Sequence, residues 1–505
     1  MSTSAARPDG PASLSSLSRK LKEHIAQFLD DLSLYDDDED WEDESAAAVD
    51  AKEEKEEKVD AGEDEEENGM LVTLMEEDPE DARKATLAAI NLVNKEWAEI
   101  VAPLRWKEVW LYPCTTRDLL RLTRDVLPRH GSHVDRLLIR ETPYDTILDG
   151  NEADDVPAAE GRALEVIEEA EKLLQLEAGT LEWELRTQRA RNALLGDIIK
   201  RCPNVKYLDL EGPLRMFRRG SASPDSLVDI KEDELPNAAA KALKSLGGQI
   251  EHLGLLVPPD GFSTEKDAAE YISAFPYLKT LDLNCFVIAA PDGEDYVKVD
   301  REALYKALTS LKNLEELDLG ESTFVNDATA TLDFAAPLKH LALGDSSDLT
   351  VPGLRKLVER FSATLESLEM DDTVPAGDEE EKTAPTFGEP FNLPKLTNLE
   401  LATTQPASFL SLFDTCPLVE VLLGECPQLT AKDFIAFLDV HKATLKVVDI
   451  EEDGIAGEED VEDPLAPIAT WCEEHNVKFA LFPSTAIEDM SDDEHEDDCS
   501  CQAHE

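Results

Sequence analysis

Basic residues are scarce in this 505-residue chain: 48 Lys and Arg stand against 111 Asp and Glu, a formal net charge of −63 at pH 7. That imbalance disfavours direct binding to a nucleic-acid backbone and points to basic proteins, or basic segments of them, as electrostatic partners. Cysteine is sparse too, with eight scattered residues and no CxxC. A disulfide framework is therefore not expected, and reduced thiols in the cytoplasm or nucleus are. No apolar run approaches the ~18 residues of a membrane helix, and the opening MSTSAARPDGPASLSS lacks a charged-then-apolar signal pattern, so no membrane partner is expected. GxxxxGK[ST], GxGxxG behind a strand, HExxH and GxSxG are all missing. Carboxylates are too numerous for any pair to mark an acid/base couple without geometry. His130 and His133 sit in a Gly/Ser turn and read as solvated loop residues. His495, Cys499, Cys501 and His504 have ligand character, but their spacing fits no structural zinc pattern. The expectation is a chain that is not an enzyme and needs no cofactor or metal.

What the chain has in quantity is a recurring hexamer, Leu-x-x-Leu-x-apolar: LKTLDL (278–283), LEELDL (314–319), LKHLAL (338–343) and LESLEM (365–370). The pattern extends to VDRLLI (134–139), NVKYLDL (204–210), IEHLGL (250–255), LTNLEL (396–401), LVEVLL (418–423), LKVVDI (445–450) and NVKFALF (476–482). Each copy alternates like a half-buried strand, and none can bury its apolar face alone. Recurrence therefore means stacking. From Ile250 onward the gaps between first apolar positions are 28, 36, 24, 27, 31, 22, 27 and 32 residues. This scatter suits variable loops on a constant strand-plus-helix unit. The expected fold class is an α/β leucine-rich-repeat solenoid over 112–485, with parallel strands on a concave face and helices on the convex side. VDRLLI would be its first strand. A helical insertion over about 158–202, rich in Ala, Glu, Leu and Arg, separates it from the next, packing through Leu194, Leu195, Ile198 and Ile199.

The position between the last two apolar residues of each hexamer faces away from the core. It reads Asp209, Gly254, Asp282, Asp318, Ala342, Glu369, Glu400, Leu422 and Asp449. Six of nine are acidic where the composition gives about two. Two explanations stand at this point: a concave acidic face (Asp209, Asp282, Asp318, Glu369, Glu400, Asp449) that binds a basic target, or an Asp preference common in such repeats. Two short motifs have the look of phosphorylation sites: Ser221, in the locally basic loop 211–236, and Ser491, in the acidic tail 486–505.

Ahead of the repeats, after a leader over 1–13 expected to be disordered, 14–111 reads as a helical module interrupted by an acidic, disordered insert over 36–70. Leu17, Leu21, Ile25 and Leu29 fall at i, i+4, i+8 and i+12 on one helical face. Ile90-x-Leu92-Val93-Asn94-Lys95-x-Trp97-x-x-Ile100 forms a second stripe, followed by Pro103-Leu104-x-Trp106. Together these resemble an F-box of the divergent fungal kind. The repeats are similar to the cysteine-containing leucine-rich repeats common in F-box proteins, with Cys426 after its strand and Cys202-Pro203 and Cys416-Pro417 ahead of theirs. The chain departs from the family in having Leu17-Ser18 where Leu-Pro is usual, Asn94 where a cysteine is usual, and the acidic insertion.

The resemblance implies a non-catalytic substrate-recognition subunit of an SCF-type cullin-RING ubiquitin ligase. Leu17, Leu21, Ile25, Leu29, Leu92, Val93, Trp97, Pro103, Leu104 and Trp106 would then form the module's core and the surface for the Skp adaptor. The repeats would hold the target protein. The residues by themselves also fit a plain helical cap on the solenoid. An acidic leucine-rich scaffold, or a histone-chaperone-like protein binding basic partners, remains the alternative.

Overall fold

The computed structural model describes residues 19–31, 86–87, 89–90, 94–111, 114–140, 156–176, 183–211, 238–256, 265–284, 301–320, 322, 324–344, 349–371, 387–451, 454–456 and 463–482. Leu17, Leu92, Val93, Ser221 and Ser491 lie outside them, as does the side chain of Leu29. The chain divides into two compact units, 1–109 with 125–135, and 110–124 with 136–505.

Alternating Leu and polar residues put one face of every hexamer against the core, and the strands form where the pattern predicts. They are β1 (Glu108–Leu111), β2 (Arg136–Arg140), β3 (Tyr207–Glu211), β4 (His252–Leu256), β5 (Thr280–Asp282) and β6 (Glu316–Leu319). The series continues with β7 (His340–Gly344), β8 (Ser367–Asp371), β9 (Asn398–Ala402), β10 (Glu420–Leu423), β11 (Val447–Glu451) and β12 (Lys478–Phe482). They make one twelve-stranded sheet in strict chain order. Every pair from β2 to β12 is parallel. Leu137, Leu208, Leu253, Leu281, Leu317, Leu341, Leu368, Leu399, Val421 and Val448 stack into one buried row. A slip of one residue would move a whole strand's leucines to the opposite face, so this row fixes the register.

Strand β1 corrects the expectation that the sheet begins at 134–139. Its EVWL lacks the Leu-x-x-Leu frame and turns only Val109 and Leu111 inward, too little pattern to see in sequence.

A second ladder runs along the strand entrances. The carbonyl of Lys206 takes the N–H groups of both Glu251 and His252, and the same double acceptance recurs at Glu251, Lys279, Glu315, Lys339, Glu366, Thr397 and Val419. The first six side chains of this row alternate in sign from Lys206 to Glu366. Glu251 pairs with Lys206 (3.6 Å) and Lys279 (2.6 Å), and Glu315 with Lys339 (2.6 Å). Exposed pairs of this kind add little stability each. In sequence they favour opposite charges on adjacent repeats and disfavour like ones.

The expectation of a constant strand-plus-helix unit holds only in part. Helices α7 (Ala238–Ser245), α8 (Glu265–Ala274), α9 (Glu302–Ser310), α10 (Val351–Arg360), α11 (Ala431–His441) and α12 (Ala466–His475) fill most returns. Between β6 and β7, and between β9 and β10, the described return is a 3-10 segment, Thr329–Thr331 and Ala407–Phe413. These are the two shortest spacings, 24 and 22 residues. A tighter helix covers more length per residue and fits where a full α-turn series would not. Where α-helices form, their starts are written locally: Thr430 and Asp433 make a reciprocal capping box, and Thr350 caps α10 by accepting from the Gly353 N–H.

The insertion between β2 and β3 is a helix pair, α5 (Val156–Leu174) and α6 (Trp183–Arg201). Leu194, Leu195, Ile198 and Ile199 are buried as expected. The two helices are tied by Glu171, 4% exposed, which accepts from Arg186 (2.9 and 2.5 Å) and Arg189 (2.8 Å). The Arg186 hydrogen bond is the main reason its carboxyl stays below the ordinary range.

The described cysteines are free thiols. Cys426 is fully buried and donates to the Leu401 carbonyl at 3.5 Å, and burial pushes the Cys202 and Cys416 thiols up to about 12. They behave as small hydrophobes.

His441 is an exception to the apolar interior. It is 3% exposed, lies edge-on to Phe437 at 4.7 Å, and its Nε2 has no hydrogen-bond partner among the described residues. Burial holds its pKa below the usual 6.5. The unfolded chain therefore takes up this proton first, and stability is lost as pH falls below about 6.5 and on through the folded value. Urea titrations of wild type and His441→Leu should show their stability difference shifting against wild type between pH 7 and pH 5. A pH-independent difference would contradict this role.

In the N-terminal unit, α1 (Arg19–Asp31) packs against α2 (Lys95–Arg105) through Ala26, Leu87, Trp97, Ile100 and Val101, with Ile25, Ile90 and Leu104 against them. His130 corrects the solvated-loop expectation. It ends the short helix α4 (Leu127–His130), which comes after α3 (Thr116–Arg121) in the chain, and stacks on Trp106 (5.4 Å, 15°) because Pro128 starts a helical turn where a loop was read.

Candidate functional site

On the face opposite the leucine rows, the nine named positions fall in one line: Asp209, Gly254, Asp282, Asp318, Ala342, Glu369, Glu400, Leu422 and Asp449 are consecutive register partners. Adjacent strands bring these side chains to roughly 4.8 Å spacing. Their environments differ sharply, and the differences sort the acids.

Asp209 is buried and neutralised within the sheet. Its Oδ2 accepts from Arg136 Nε and Nη2, both at 3.2 Å, and its Oδ1 lies 3.1 Å from His252 Nε2. Burial opposes ionisation there, but His252 and Arg136 outweigh it and hold the carboxyl below its ordinary range. The same geometry explains Gly254: a Cβ at that position would stand 2.5 Å from Asp209 Oδ1. Gly254→Ala should push Asp209 off its partners and cost about 1–3 kcal/mol, the penalty of a buried charge losing its hydrogen bonds. Chemical denaturation measures this directly, and Asp209→Asn should reduce the cost of the second change. At the far end Asp449 is only 9% exposed.

Between these ends the acids have no such neutralisation. Asp282 Oδ1 accepts the Asn284 N–H (2.9 Å), and Asp318 Oδ1 the Gly320 N–H (2.8 Å). Burial raises both carboxyls. Glu369 and Glu400 are exposed, adjacent and without a cationic partner among the described residues. Although both reach solvent, neighbouring strands desolvate them in part: this, then Glu400, Asp318 and Asp371, pushes Glu369 up to about 7, while the same partial desolvation, Glu451 and Asp371 raise Glu400. Like charges on neighbouring strands repel, and a bound cation would relieve them.

Sequence reading missed the flanking groups. Glu316, which accepts from Thr280 Oγ1 (2.8 Å), and Glu420, which accepts from Asn398 Nδ2 (2.9 Å), share this face two residues before the row. Asp371 and Glu451 lie two residues after it. Reading every second residue of each strand, from two before the row to two after it and so one residue past the hexamer, would have found them.

In the helical module Trp97 is 1% exposed and central, and Leu104 and Ile25 pack beside it. Leu21, named for the same face, is instead 46% exposed, while its neighbour Lys22 is 1% exposed. The Lys22 ammonium pairs with Glu96 at 2.5 Å and sits 5.8 Å from the Trp97 ring centroid. An apolar-only stripe rule could not have selected a lysine. Pro103 is exposed and Trp106 half-buried against His130. Asn94, where the resembled family has cysteine, is the helix N-cap: its side chain accepts from the Trp97 N–H at 3.1 Å.

No protein-family model and no curated relative matches the sequence. Among solved structures, the leucine-rich-repeat protein LegL7 of Legionella pneumophila is 16% identical, covering 57% of this chain and 87% of that one at a TM-score of 0.35. The Rad7–Elc1 complex of yeast is 14% identical over 54% and 69% of the two chains (TM-score 0.32). An internalin, InlF, of Listeria monocytogenes is 13% identical over 63% and 88% (TM-score 0.26). None of the described helices is long and apolar enough to cross a membrane, and no group of three or more potential metal ligands occurs among the described residues. The chain's own geometry, twelve strands in sequence order with aligned leucine rows, is that of a leucine-rich-repeat fold.

Proposed function

We propose that this chain is a non-catalytic recognition subunit whose sheet face captures a basic segment of a target protein, while the N-terminal helices attach it to the Skp adaptor of an SCF-type ubiquitin ligase. The observation that carries the attachment is the packing of α1 on the Trp97 helix across more than sixty intervening residues, which leaves Leu21 exposed on the outer surface. The catalytic contribution of such a protein is proximity: it raises the effective concentration of target lysines near a ubiquitin-carrying enzyme. The 505-residue chain should retain the adaptor in a pulldown. Leu21→Glu, a surface change, should abolish retention without altering the thermal transition.

The second reading, an acidic scaffold or histone-chaperone-like protein, draws on the unneutralised run from Asp282 to Glu400 alone. Capture of histones that is indifferent to Leu21→Glu, together with no adaptor retention by wild type, would favour it.

A further inference from the structure

At the β12 end of the sheet the core rows are left uncovered, as on no other described strand. Phe479 and Leu481 continue the two core rows, whose ten preceding members in each row from β2 to β11 are at most 3% exposed. Leu481 is 48% exposed and Phe479 only half-buried. Strand β12 is last in the order, so nothing among the described residues pairs with its outer edge. Lys478 donates its N–H to the Lys446 carbonyl at 2.8 Å, which sets the phase of the ladder. Lys478, Ala480 and Phe482 turn their backbone groups toward β11. Phe479 and Leu481 turn theirs outward. The usual protections of an edge strand (proline, a bulge, several charges) are missing from KFALF apart from Lys478.

We propose that this edge is a strand-addition site, taking an extended segment of a partner protein with apolar residues at alternate positions and Lys or Arg between them. The backbone row supplies hydrogen bonds, and Phe479 with Leu481 supplies apolar cover. Charge selects the occupant. Helix α12, packed on β12, carries Glu473 and Glu474 exposed, and β11 ends in Glu451 beside Phe482. A second copy of a chain with net charge −63 would bring like charge to this edge, and residues 483–505 hold nine acidic residues and no Lys or Arg. A basic strand meets neither objection.

The test is residue-resolved amide exchange on the full chain with a synthetic octapeptide of alternating valine and lysine. In the free protein the Phe479 and Leu481 amides should exchange fast, with Ala480 and Phe482 protected. The peptide should slow the first pair at least tenfold, and an octapeptide of alternating valine and glutamate should not. Leu481→Pro removes an outward N–H without touching the β11 ladder and should abolish slowing at Phe479. Leu481→Lys, which keeps the backbone intact, should weaken it if the proline variant is poorly folded. Glu369→Lys should leave the effect unchanged, which separates this edge from the acidic face. The proposal is overturned by protection in the free chain that disappears on deleting 484–505, by protection that grows with protein concentration, or by equal slowing with both peptides or with neither.

Discussion

Reversing Asp282, Asp318 and Glu369 to lysine should abolish capture of a Lys/Arg-rich peptide by the repeat face, with a loss of affinity of at least about a hundredfold. Three charges within a few strands change sign, and the environment around them is partly desolvated, so each pairwise interaction counts for more than in bulk water. Asp209→Asn should have little effect on capture, because that carboxylate is already held by Arg136 and His252. Isothermal titration against one peptide at fixed ionic strength decides this: unchanged affinity of the triple variant removes the acidic face from the account. A pH signature accompanies it. With its carboxyl pushed up to about 7, Glu369 is mostly protonated at pH 6 and mostly ionised at pH 8. Its contribution to affinity should rise by up to about tenfold across that range, with proton release on binding near pH 7. Glu369→Gln should flatten the profile.

The same raised carboxyls act on stability with the opposite sign to His441. A group whose folded pKa lies above its unfolded value stabilises below the unfolded pKa, and that stabilisation is lost as pH rises through the folded one. For Glu369 the window runs from about 4.5 to about 7. The acidic face therefore favours folding on mild acidification while His441 opposes it, and only comparison with the His441→Leu variant separates them.

Trp97→Ala should have the largest effect on the N-terminal unit. The indole is the centre of its small core, and its loss should cost about 3–5 kcal/mol. It also removes the ring beside the Lys22 ammonium and leaves a buried cation next to the half-exposed Glu96. So few groups hold α1 to α2 that this cost is expected to release α1 altogether. Limited proteolysis should then cut within 19–31 while the β2–β12 fragment stays resistant. Lys22→Met, which keeps the aliphatic stem without the charge, should be much milder. Comparable loss in the two variants would show that the ion pair, rather than the aromatic core, holds the helices together.

Individual elements show where sequence sufficed. The Leu-x-x-Leu frame located β2 to β12, because a strand buried on one face must alternate and a stacked unit must repeat. Spacing located the acidic line for the same reason: equal offsets within equal hexamers become register partners. It did not reveal β1, with only two inward residues, nor that the 24- and 22-residue spacings force 3-10 returns. Resemblance led to Trp97 but not to Lys22, whose burial depends on Glu96, 74 residues away.

Period and polarity along the chain were enough to specify a stacked parallel sheet, its buried rows and its acidic line, since each depends on residues a fixed distance apart. Which acids on that line are neutralised and which stay strained was decided only by folding. Arg136, Asp209 and His252 come from three different strands, as do Glu369, Glu400 and Glu451, and the energy of a charge depends on neighbours that chain position does not name.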